Sequence, residues 1–256
     1  RLEEARQVGG QRNLYQANKE VYQLLRYGAS VKARPGAKSR PVKFIDWENE
    51  CANDFAVAEE VPVTGVNDKR PDVVLYVNGI AVGVLELKRS TVAVEEGIRQ
   101  NLDNQQSDFI APFFSTMQLV MAGNDSQGLR YGTVGTPETH FTQWREENPD
   151  YDPSDPTDRK YVSPTGCSQS DRRLDCALAR LARPKRLLEL MHDFVVFDAG
   201  TKKIARHNQY FGVKAAQENV DRKNDGIIWH SQGSGKSLTM VWLAKWILAS
   251  NPHARV

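Results

Sequence analysis

Residues Gln232–Ser237 have the sequence QGSGKS, which restricts the possible folds of the segments on either side. Before them, the run Asp225–Trp229 predicts a buried strand. After them, apolar residues recur at roughly helical spacing, at Leu238, Val241, Trp242 and Leu248. A strand, a glycine-rich loop and a helix in this order are typical of a P-loop, so the sequence predicts a phosphate-binding turn here.

The residues of this loop suit the phosphates of a nucleotide. Glycines let backbone N–H groups turn toward a phosphate, and the N-terminus of the following helix adds about half a positive charge. Lys236 would reach the β- and γ-phosphates of ATP, and the Ser237 hydroxyl would bind Mg²⁺. The ATP-binding residues expected in the loop are Gly233, Ser234, Gly235, Lys236 and Ser237. The strict pattern places a glycine five residues before Gly235, where this chain has His230.

Gln209 lies 27 residues before Lys236 and is a second candidate for nucleotide recognition. A glutamine amide matches both the N6 donor and the N7 acceptor of adenine. Two simpler interpretations remain open: Gln209 as a surface residue beside two core aromatics, and the loop as a turn without a ligand. A complete ATPase also needs an acidic Mg²⁺-binding strand, which does not occur before Val256, so we expect the chain alone to lack efficient ATP hydrolysis.

Two carboxylates and a lysine form a second constellation. Asp72 begins one strand-like run and Glu86 ends the next, fourteen residues later. Carboxylate oxygens are ligands of Mg²⁺, and bound Mg²⁺ polarises a phosphodiester and activates water. Lys88 would orient that water or stabilise negative charge on the phosphate. Asp72 and Glu86 as metal ligands, with Lys88 beside them, therefore predict metal-assisted cleavage of a phosphodiester.

The turn between these two strands sets a geometric condition. Asn78–Gly79 is a strong hairpin signal, and a simple two-residue turn would place Asp72 opposite Leu85, on the wrong face. A bulge or a three-residue turn would instead place Asp72 opposite Glu86. The sequence therefore predicts an irregularity in this hairpin without choosing between the two forms. On a regular strand, alternate residues of 80–88 would share one face with Glu86.

Gln100 and Glu20 are weaker candidates. The helix predicted after Lys88 carries Gln100, whose amide would contact phosphate or fix a catalytic group, and an exposed helix glutamine is the competing interpretation. Glu20 would add a carboxylate unless it is a solvated surface residue. The whole constellation has such an alternative, a strand that ends in solvated charges. However, Glu86 lies in an otherwise apolar run, where a charge needs a metal or a partner.

The rest of the chain predicts one α/β unit and the start of another. Helices are expected over 14–27 and 92–104, and strands over 42–47, 55–63, 72–77, 80–87, 117–121 and 129–132. This order indicates a mixed sheet flanked by helices over residues 1–140. Residues 141–183, rich in prolines and acidic residues, predict a linker. A helix from Pro184, a strand over 194–197 and a helix over 208–219 then open a second domain, residues 184–256.

Composition adds two limits. No run approaches the roughly 20 apolar residues of a membrane-spanning helix, and the charged first residues lack the apolar core of a signal peptide. We therefore expect a cytoplasmic protein without a membrane partner. The 34 Lys and Arg nearly cancel the 32 Asp and Glu, so the net charge of +2 does not by itself predict nucleic-acid binding.

Five segments together resemble the restriction (R) subunits of type I restriction–modification enzymes, the HsdR family. They are FIDWEN at 44–49, RPDVVLYVNG at 70–79, VLELK at 84–88, HNQYF at 207–211 and IWHSQGSGKS at 228–237. The resemblance implies a PD-(D/E)xK nuclease core with Asp72, Glu86 and Lys88 at its catalytic positions. It also implies the beginning of a RecA-like P-loop motor of helicase superfamily two, with Gln209 in the adenine-recognising Q motif and Lys236 in motif I.

The resemblance carries further expectations. The family's loop is similar to this one at His230, and its QxxxY motif begins at Gln100, although Asn104 stands where tyrosine is expected. Family members are prokaryotic ATP-dependent endonucleases that work with methyltransferase (M) and specificity (S) subunits on double-stranded DNA. We therefore expect the N-terminal part of a type I site-specific deoxyribonuclease. Its cofactors would be Mg²⁺ and ATP, with DNA cleavage coupled to ATP-driven translocation.

Three other functions remain open. A repair enzyme or a type III restriction subunit would also combine nuclease and motor, although type III subunits resemble the reverse order. A DNA-translocating ATPase whose N-terminal domain only binds DNA or the methyltransferase would show no metal affinity at Asp72 and Glu86. A non-catalytic scaffold would use Glu86 and Lys88 merely as a salt bridge.

Overall fold

A five-stranded mixed sheet forms the centre of the computed structural model, which describes residues 2–8, 12–32, 34, 36, 38–146, 174–251 and 253–255. Its strands lie side by side in chain order. They are β3 Phe55–Glu59, β4 Val73–Val77, β5 Ile80–Leu87, β6 Leu119–Asn124 and β7 Gly128–Gly132. β5 and β6 run parallel, and the other neighbours are antiparallel. The predicted mixed sheet flanked by helices is confirmed at this level.

Helices and two small hairpins surround the sheet. The helices are α1 Leu2–Ala5, α2 Leu14–Tyr27, α3 Val94–Asn104, α4 Ala111–Phe114, α5 Leu174–Leu181, α6 Pro184–Asp193, α7 His207–Asp221 and α8 Lys236–Ser250. Short 3₁₀ turns cover Glu50–Ala52 and Glu138–His140. β1 Ala29–Val31 pairs with β2 Arg40–Val42, and β8 Val195–Asp198 pairs with β9 Thr201–Ile204. No helix of the described residues is long and apolar enough to cross a bilayer.

The central strands are buried on both faces. Along β6, Val120 and Ala122 belong to the apolar cluster that includes Ile98 of α3. Leu119 and Met121 belong to a second cluster, which includes residues of α2, α6, α7 and α8. Because side chains alternate along a strand, one strand supplies both cores. The sheet therefore holds α3 and α4 against one face and α2, α6, α7 and α8 against the opposite face.

Local signals at both ends of α2 explain its bounds. The Asn13 side chain accepts a hydrogen bond from the Gln16 backbone N–H, and the Gln16 side chain accepts one from the Asn13 N–H, which forms a capping box. Gly28 follows the helix with φ 76°, a left-handed conformation that favours glycine. The helix predicted over 14–27 is confirmed at these bounds.

The expected buried strand over Asp225–Trp229 is wrong. This segment has no regular secondary structure, and Ile227 and Trp229 are each 90% exposed. A buried parallel strand needs partners at its sides, and within the described ranges no strand pairs with this segment. Its apolar sequence therefore indicated burial that the residues around it do not provide.

Two other expectations also need correction. The strand predicted over 42–47 ends at Val42, because Asp46 accepts hydrogen bonds from the backbone of Glu48 and Asn49 and forms a turn. Within the predicted linker 141–183, residues 147–173 lie outside the described residues, but helix α5 occupies Leu174–Leu181. The helix predicted to begin at Pro184 is confirmed as α6.

Residues beyond 184 pack directly on the N-terminal sheet. The Tyr131 hydroxyl of β7 donates to the Ala205 carbonyl at 2.9 Å. The buried Lys202 Nζ donates to Gln118 Oε1 at 2.7 Å. Leu187 of α6 lies in the same apolar cluster as Leu25 of α2. The two parts of the chain therefore share one hydrophobic core.

Candidate active site

The β4–β5 hairpin contains the irregularity that the sequence predicts. Asn78–Gly79 forms a two-residue turn, but the register shifts by one residue where Val82 is skipped in the pairing. Continued past the last paired residues, this register brings Asp72 opposite Glu86. The predicted bulge is confirmed, and the alternative of a three-residue turn is wrong.

The bulge also changes which residues of β5 share a face. Val82 lies in the cluster on the α2 side, whereas Val84 lies in the cluster on the α3 side. The expectation of one continuous face over 80–88 is therefore wrong, because the extra residue reverses the alternation. From Val84 onward the alternation is regular, and it directs Glu86 toward α3.

Asp72 is fixed by the backbone of β5. The Leu87 N–H donates to Asp72 Oδ2 at 2.7 Å, and the Asp72 carbonyl accepts from the Glu60 N–H at 2.8 Å. The second contact continues the pairing of β3 with β4. Asp72 is consequently held beside Glu86 and Lys88 by both neighbouring strands.

A chain of hydrogen bonds connects Glu86, Gln100 and Lys88. Gln100 Nε2 donates to Glu86 Oε2 at 2.6 Å, and Lys88 Nζ donates to Gln100 Oε1 at 2.6 Å. One amide thus joins a carboxylate that is 0% exposed to a half-buried ammonium group. Lys88 and Glu86 interact through Gln100, so the structure does not support the simple salt bridge that a scaffold function predicts.

Gly97 allows α3 to lie close enough for this contact. A Cβ atom at Gly97 would lie 3.0 Å from Ala122 Cβ and 3.4 Å from Lys88 Cγ. A glycine inside a predicted helix is the sequence signal for such a close approach. Sequence reasoning missed Gly97, although that signal was present.

Gln127 is a second supporting residue that sequence reasoning missed. α3 begins after Ala93, which has no side chain able to cap it, and Gln127 Oε1 instead accepts from the Val94 N–H at 2.8 Å. Asn124 Nδ2 donates to the Val92 carbonyl at 2.7 Å. The β6–β7 turn therefore holds both the loop after Lys88 and the start of α3. An uncapped helix start was the only sequence signal.

The two carboxylates resist being charged together. Burial raises the pKa of Glu86 to about 8, and the neighbouring Asp72 carboxylate raises it further, whereas Lys88 and Gln100 oppose the shift. Glu86 Oε1 is buried and has no hydrogen-bond partner among the described residues. An unpartnered carboxylate oxygen beside a second carboxylate fits a divalent cation, which would offset both charges.

The remaining candidates of this region lie apart from the hydrogen-bonded chain. Glu20 is an exposed residue paired with Arg12, so its expected contribution to the metal site is not supported. Asn104 is buried at the end of α3, where its carbonyl accepts from the Ile110 N–H at 3.3 Å. Within the part of the chain that the structure describes, no group of three or more His, Cys, Asp or Glu side chains is arranged to hold a metal. A cation would therefore rely on two side-chain carboxylates.

The glycine-rich loop adopts a compact turn before α8. Gly233 and Gly235 have φ values of 80° and 83°, in the left-handed region, and α8 begins at Lys236. Lys236 Nζ donates to the carbonyls of His230 and Ser231 at 3.1 and 3.2 Å. The lysine predicted to bind phosphate therefore binds backbone carbonyls of its own loop. Ser237 is exposed at the first turn of the helix.

Gln209 contacts this loop directly. Its Nε2 donates to the carbonyls of Ser234 and Gly235, both at 3.1 Å, and its Oε1 accepts from the Arg206 N–H at 2.9 Å. Gln209 is 2% exposed, so the interpretation as a surface glutamine is wrong. The structure brings the predicted adenine-binding residue and the predicted phosphate loop together.

His230 stands where the strict pattern has its first glycine, and its side chain packs on α7. A Cβ atom at Gly212 would lie 3.1 Å from the His230 ring atoms Cε1 and Nε2. The imidazole therefore fills the space that a side chain at Gly212 would need. This contact fixes the approach of the chain to the loop from the same helix that carries Gln209.

Two protein families match the segments that contain these sites. The family described as "Type I restriction enzyme R protein N terminus" matches residues 2–140, which is more than half of the chain. The family described as "SWI2/SNF2 ATPase" matches residues 208–256, which include Gln209 and the glycine-rich loop.

Similar individual proteins carry related names. The putative type I restriction enzyme MjaIXP endonuclease subunit of Methanocaldococcus jannaschii is 28% identical, over 89% of this chain and 23% of that protein. The type I restriction enzyme HindI endonuclease subunit of Haemophilus influenzae is 29% identical, over 91% of this chain and 22% of that protein. A Staphylococcus aureus relative, the type I restriction enzyme SauCOLORF180P endonuclease subunit, is 22% identical over 77% and 20%. The chain thus spans between a fifth and a quarter of these relatives' length.

Proposed function

Because the chain belongs to the family of type I restriction enzyme R protein N-terminal regions, we propose that it supplies the DNA-cleaving domain of a type I restriction endonuclease subunit. In this proposal residues 1–140 form a PD-(D/E)xK nuclease domain. Residues 141–183 connect it to a RecA-like P-loop motor of helicase superfamily two, which begins at 184–256. Double-stranded DNA is the substrate, and M and S subunits are the partners.

One observation carries the nuclease assignment. Glu86 is fully buried at the edge of the site, with one oxygen held by Gln100 and the other without a partner in the described residues. Burial makes the charged form of Glu86 unfavourable, and groups perturbed in this way cluster at sites that a metal or ligand completes. Asp72 beside it supplies the second oxygen ligand.

The side chains have distinct roles in this proposal. Asp72 and Glu86 would hold Mg²⁺, which when bound polarises the scissile phosphodiester and lowers the pKa of water. Lys88 would place its ammonium group against the attacked phosphate and stabilise the charge that develops there. Gln100 holds Lys88 through its Oε1 and Glu86 through its Nε2, so it orients both groups at once.

The proposed motor rests on the loop geometry and on the match to the SWI2/SNF2 ATPase family. Lys236 would exchange its contacts with its own loop carbonyls for the phosphates of ATP. Ser237, exposed at the start of α8, would bind the associated Mg²⁺. Gln209 would direct its amide to adenine, while its helix remains against the loop. ATP hydrolysis in the whole protein would then drive DNA translocation.

The decisive experiment uses the full-length protein assembled with its M and S partners. Lys88→Ala is expected to keep DNA-dependent ATP hydrolysis and lose plasmid cleavage in Mg²⁺, whereas Lys236→Ala loses both. Lys19→Ala, which removes an exposed lysine elsewhere, serves as the matched control. Plasmid cleavage by Lys88→Ala at the control rate would mean that the nuclease site is wrongly assigned.

A second measurement separates cleavage from DNA binding alone. Binding of Mn²⁺ is followed by isothermal titration calorimetry in the parent protein and in Asp72→Asn and Glu86→Gln variants. A nuclease site predicts at least tenfold weaker Mn²⁺ binding in both variants, because each removes a charged ligand. Unchanged Mn²⁺ binding in both would favour an N-terminal domain that only binds DNA or the methyltransferase.

A further inference from the structure

A small ribbon stands apart from the central sheet. β1 and β2 pair with each other, with Ala29 opposite Val42, and join no other strand in the described residues. Every described residue from Ser30 to Lys43 is exposed. We call β1, β2 and the described residues between them the basic ribbon.

Positive charge is concentrated in this ribbon and its base. Between positions 28 and 45 the sequence has no acidic residue and five basic ones. They are Lys32, Arg34, Lys38, Arg40 and Lys43. The net charge of the chain, +2, becomes −3 once these five are removed. Lys32, Arg34, Lys38 and Arg40 form no ion pair with any other residue that the structure describes.

The basic ribbon has little of its own to stabilise it. The Ser30 and Ser39 hydroxyls hydrogen-bond across the two strands, and only Ala29 at its root is buried. An isolated two-stranded ribbon is marginally stable in water. Its exposed, unpaired cations therefore suit a surface that is completed by a negatively charged partner.

We propose that the basic ribbon binds the phosphate backbone of double-stranded DNA beside the nuclease site. This inference rests on the proposed function, in which the protein cleaves DNA. A two-stranded antiparallel ribbon fits the major groove of a duplex, and Lys, Arg and Ser side chains donate to phosphate oxygens. The segment 28–43 has no aromatic residue, so it offers no platform on which single-stranded bases would stack.

The chain leaves the ribbon at the turn end of the β4–β5 hairpin. Asn78, in the β4–β5 turn, donates to the Phe44 carbonyl at 2.9 Å, close to where the chain leaves β2. Asp72 and Glu86 lie at the opposite end of that hairpin, beyond the five residues of β4. Five strand residues span roughly 17 Å, which equals about five base pairs along a duplex. This length is short compared with an ordinary duplex, so one DNA molecule is long enough to contact both the ribbon and the site.

The test measures how DNA affinity depends on salt in the full-length protein, in EDTA so that DNA is not cut. Binding of a fluorescein-labelled duplex is followed by anisotropy over a range of KCl concentrations. The ribbon variant combines Arg34→Gln, Lys38→Gln and Arg40→Gln. The matched control combines Lys19→Gln, Lys185→Gln and Arg255→Gln, three exposed basic residues elsewhere. Thermal melting checks that both variants fold.

We expect the ribbon variant to bind DNA at least tenfold more weakly than the parent protein. The slope of the logarithm of the binding constant against the logarithm of the KCl concentration, here called the salt slope, should decrease in magnitude by roughly 2 to 3. Each lost phosphate contact lowers that slope by about 0.9, and the control should leave it unchanged. An unchanged slope in the ribbon variant overturns the inference, as does an equal change in the control. So does weaker binding of a purified partner subunit at an unchanged DNA slope, because the ribbon is then a protein-binding surface.

The outcomes remain separate from those of the proposed function. Loss of cleavage in Lys88→Ala together with an unchanged ribbon slope rejects the ribbon alone. Retained cleavage in Lys88→Ala together with a reduced ribbon slope rejects the nuclease site and keeps the DNA contact. The two variants change different residues and are read by different measurements.

Discussion

Folding raises the pKa of the Glu86 carboxyl group, so the stability of the metal-free protein depends on pH. In the folded state its pKa is raised to about 8, chiefly by burial and then by Asp72, from the ordinary glutamate value of 4.5. Between these values the unfolded chain loses a proton that the folded chain keeps. Raising the pH through this window therefore destabilises the folded state.

The expected slope is about 1.4 kcal/mol per pH unit in this window, relative to a Glu86→Gln variant that cannot ionise. Urea unfolding in EDTA at several values between pH 5 and pH 8 measures it. The stability of the parent protein should fall relative to Glu86→Gln as the pH rises. Parallel pH profiles for the two proteins would show that Glu86 is ionised in the folded state at neutral pH.

Gln100 acts through Lys88 and Glu86, so its removal should affect cleavage more than stability. Gln100→Ala takes away the acceptor of Lys88 and the donor of Glu86, and such supporting contacts typically contribute 10- to 100-fold to activity. We expect a comparable loss of the cleavage rate and a shifted pH profile, with DNA-dependent ATP hydrolysis unchanged. Gln106→Ala, at an exposed position just beyond the end of α3, is the control, and equal cleavage by both variants would contradict the role.

At the scale of elements, Gly97 makes α3 part of the active site. A Cβ atom at this position would lie 3.0 Å from the Ala122 side chain, so Gly97→Val would press methyl groups against it and force the helix away from the sheet. We expect destabilisation of roughly 1 to 3 kcal/mol and loss of cleavage. Glu96→Val, exposed on the same helix, controls for the helix propensity of valine. Denaturant unfolding showing equal stability for both variants would mean that α3 does not depend on this contact.

Sequence patterns predict those elements whose own residues decide them. β5 has an apolar run and a turn signal, and α2 has a glycine after its last residue, so both are predicted nearly at their observed bounds. Asp225–Trp229 has an equally apolar pattern, but burial of a strand depends on neighbours that its own sequence does not contain. α5 escapes prediction because the surrounding prolines and charges outweigh eight helical residues.

The same distinction holds inside the candidate site. Asp72, Glu86 and Lys88 follow from spacing and chemistry, and the bulge follows from the demand that two carboxylates face each other. Gln100 follows only from the resemblance to the family's motif, because an isolated helix glutamine is usually exposed; its hydrogen bonds to Lys88 and Glu86 show its place in the site. Gln127 lies in the β6–β7 turn and accepts a hydrogen bond from the Val94 N–H at the start of α3. Local sequence patterns do not contain such a contact between distant segments.

At the scale of the whole molecule, the shared core predicts that both parts of the chain unfold together. Leu187→Ala, in α6, should destabilise the protein by about 2 to 5 kcal/mol because Leu187 is 3% exposed. Tryptophan fluorescence and far-ultraviolet circular dichroism should report one coincident transition that moves as a unit. Leu248→Ala, at a position 49% exposed, should change stability far less. Two separate transitions, only one of them shifted, would contradict a common core.

The skipped residue at Val82 has a consequence for how chains of this kind can change in length. Losing Val82 would return the ladder to even pairing and leave Asp72 opposite Glu86, because Val82 is the residue that has no partner in β4. Losing one residue from β4 with the bulge kept would instead place Asp72 opposite Leu85 and separate the two carboxylates. The hairpin thus has one spare residue in β5 and none in β4, so single deletions in the two strands have opposite consequences for the site.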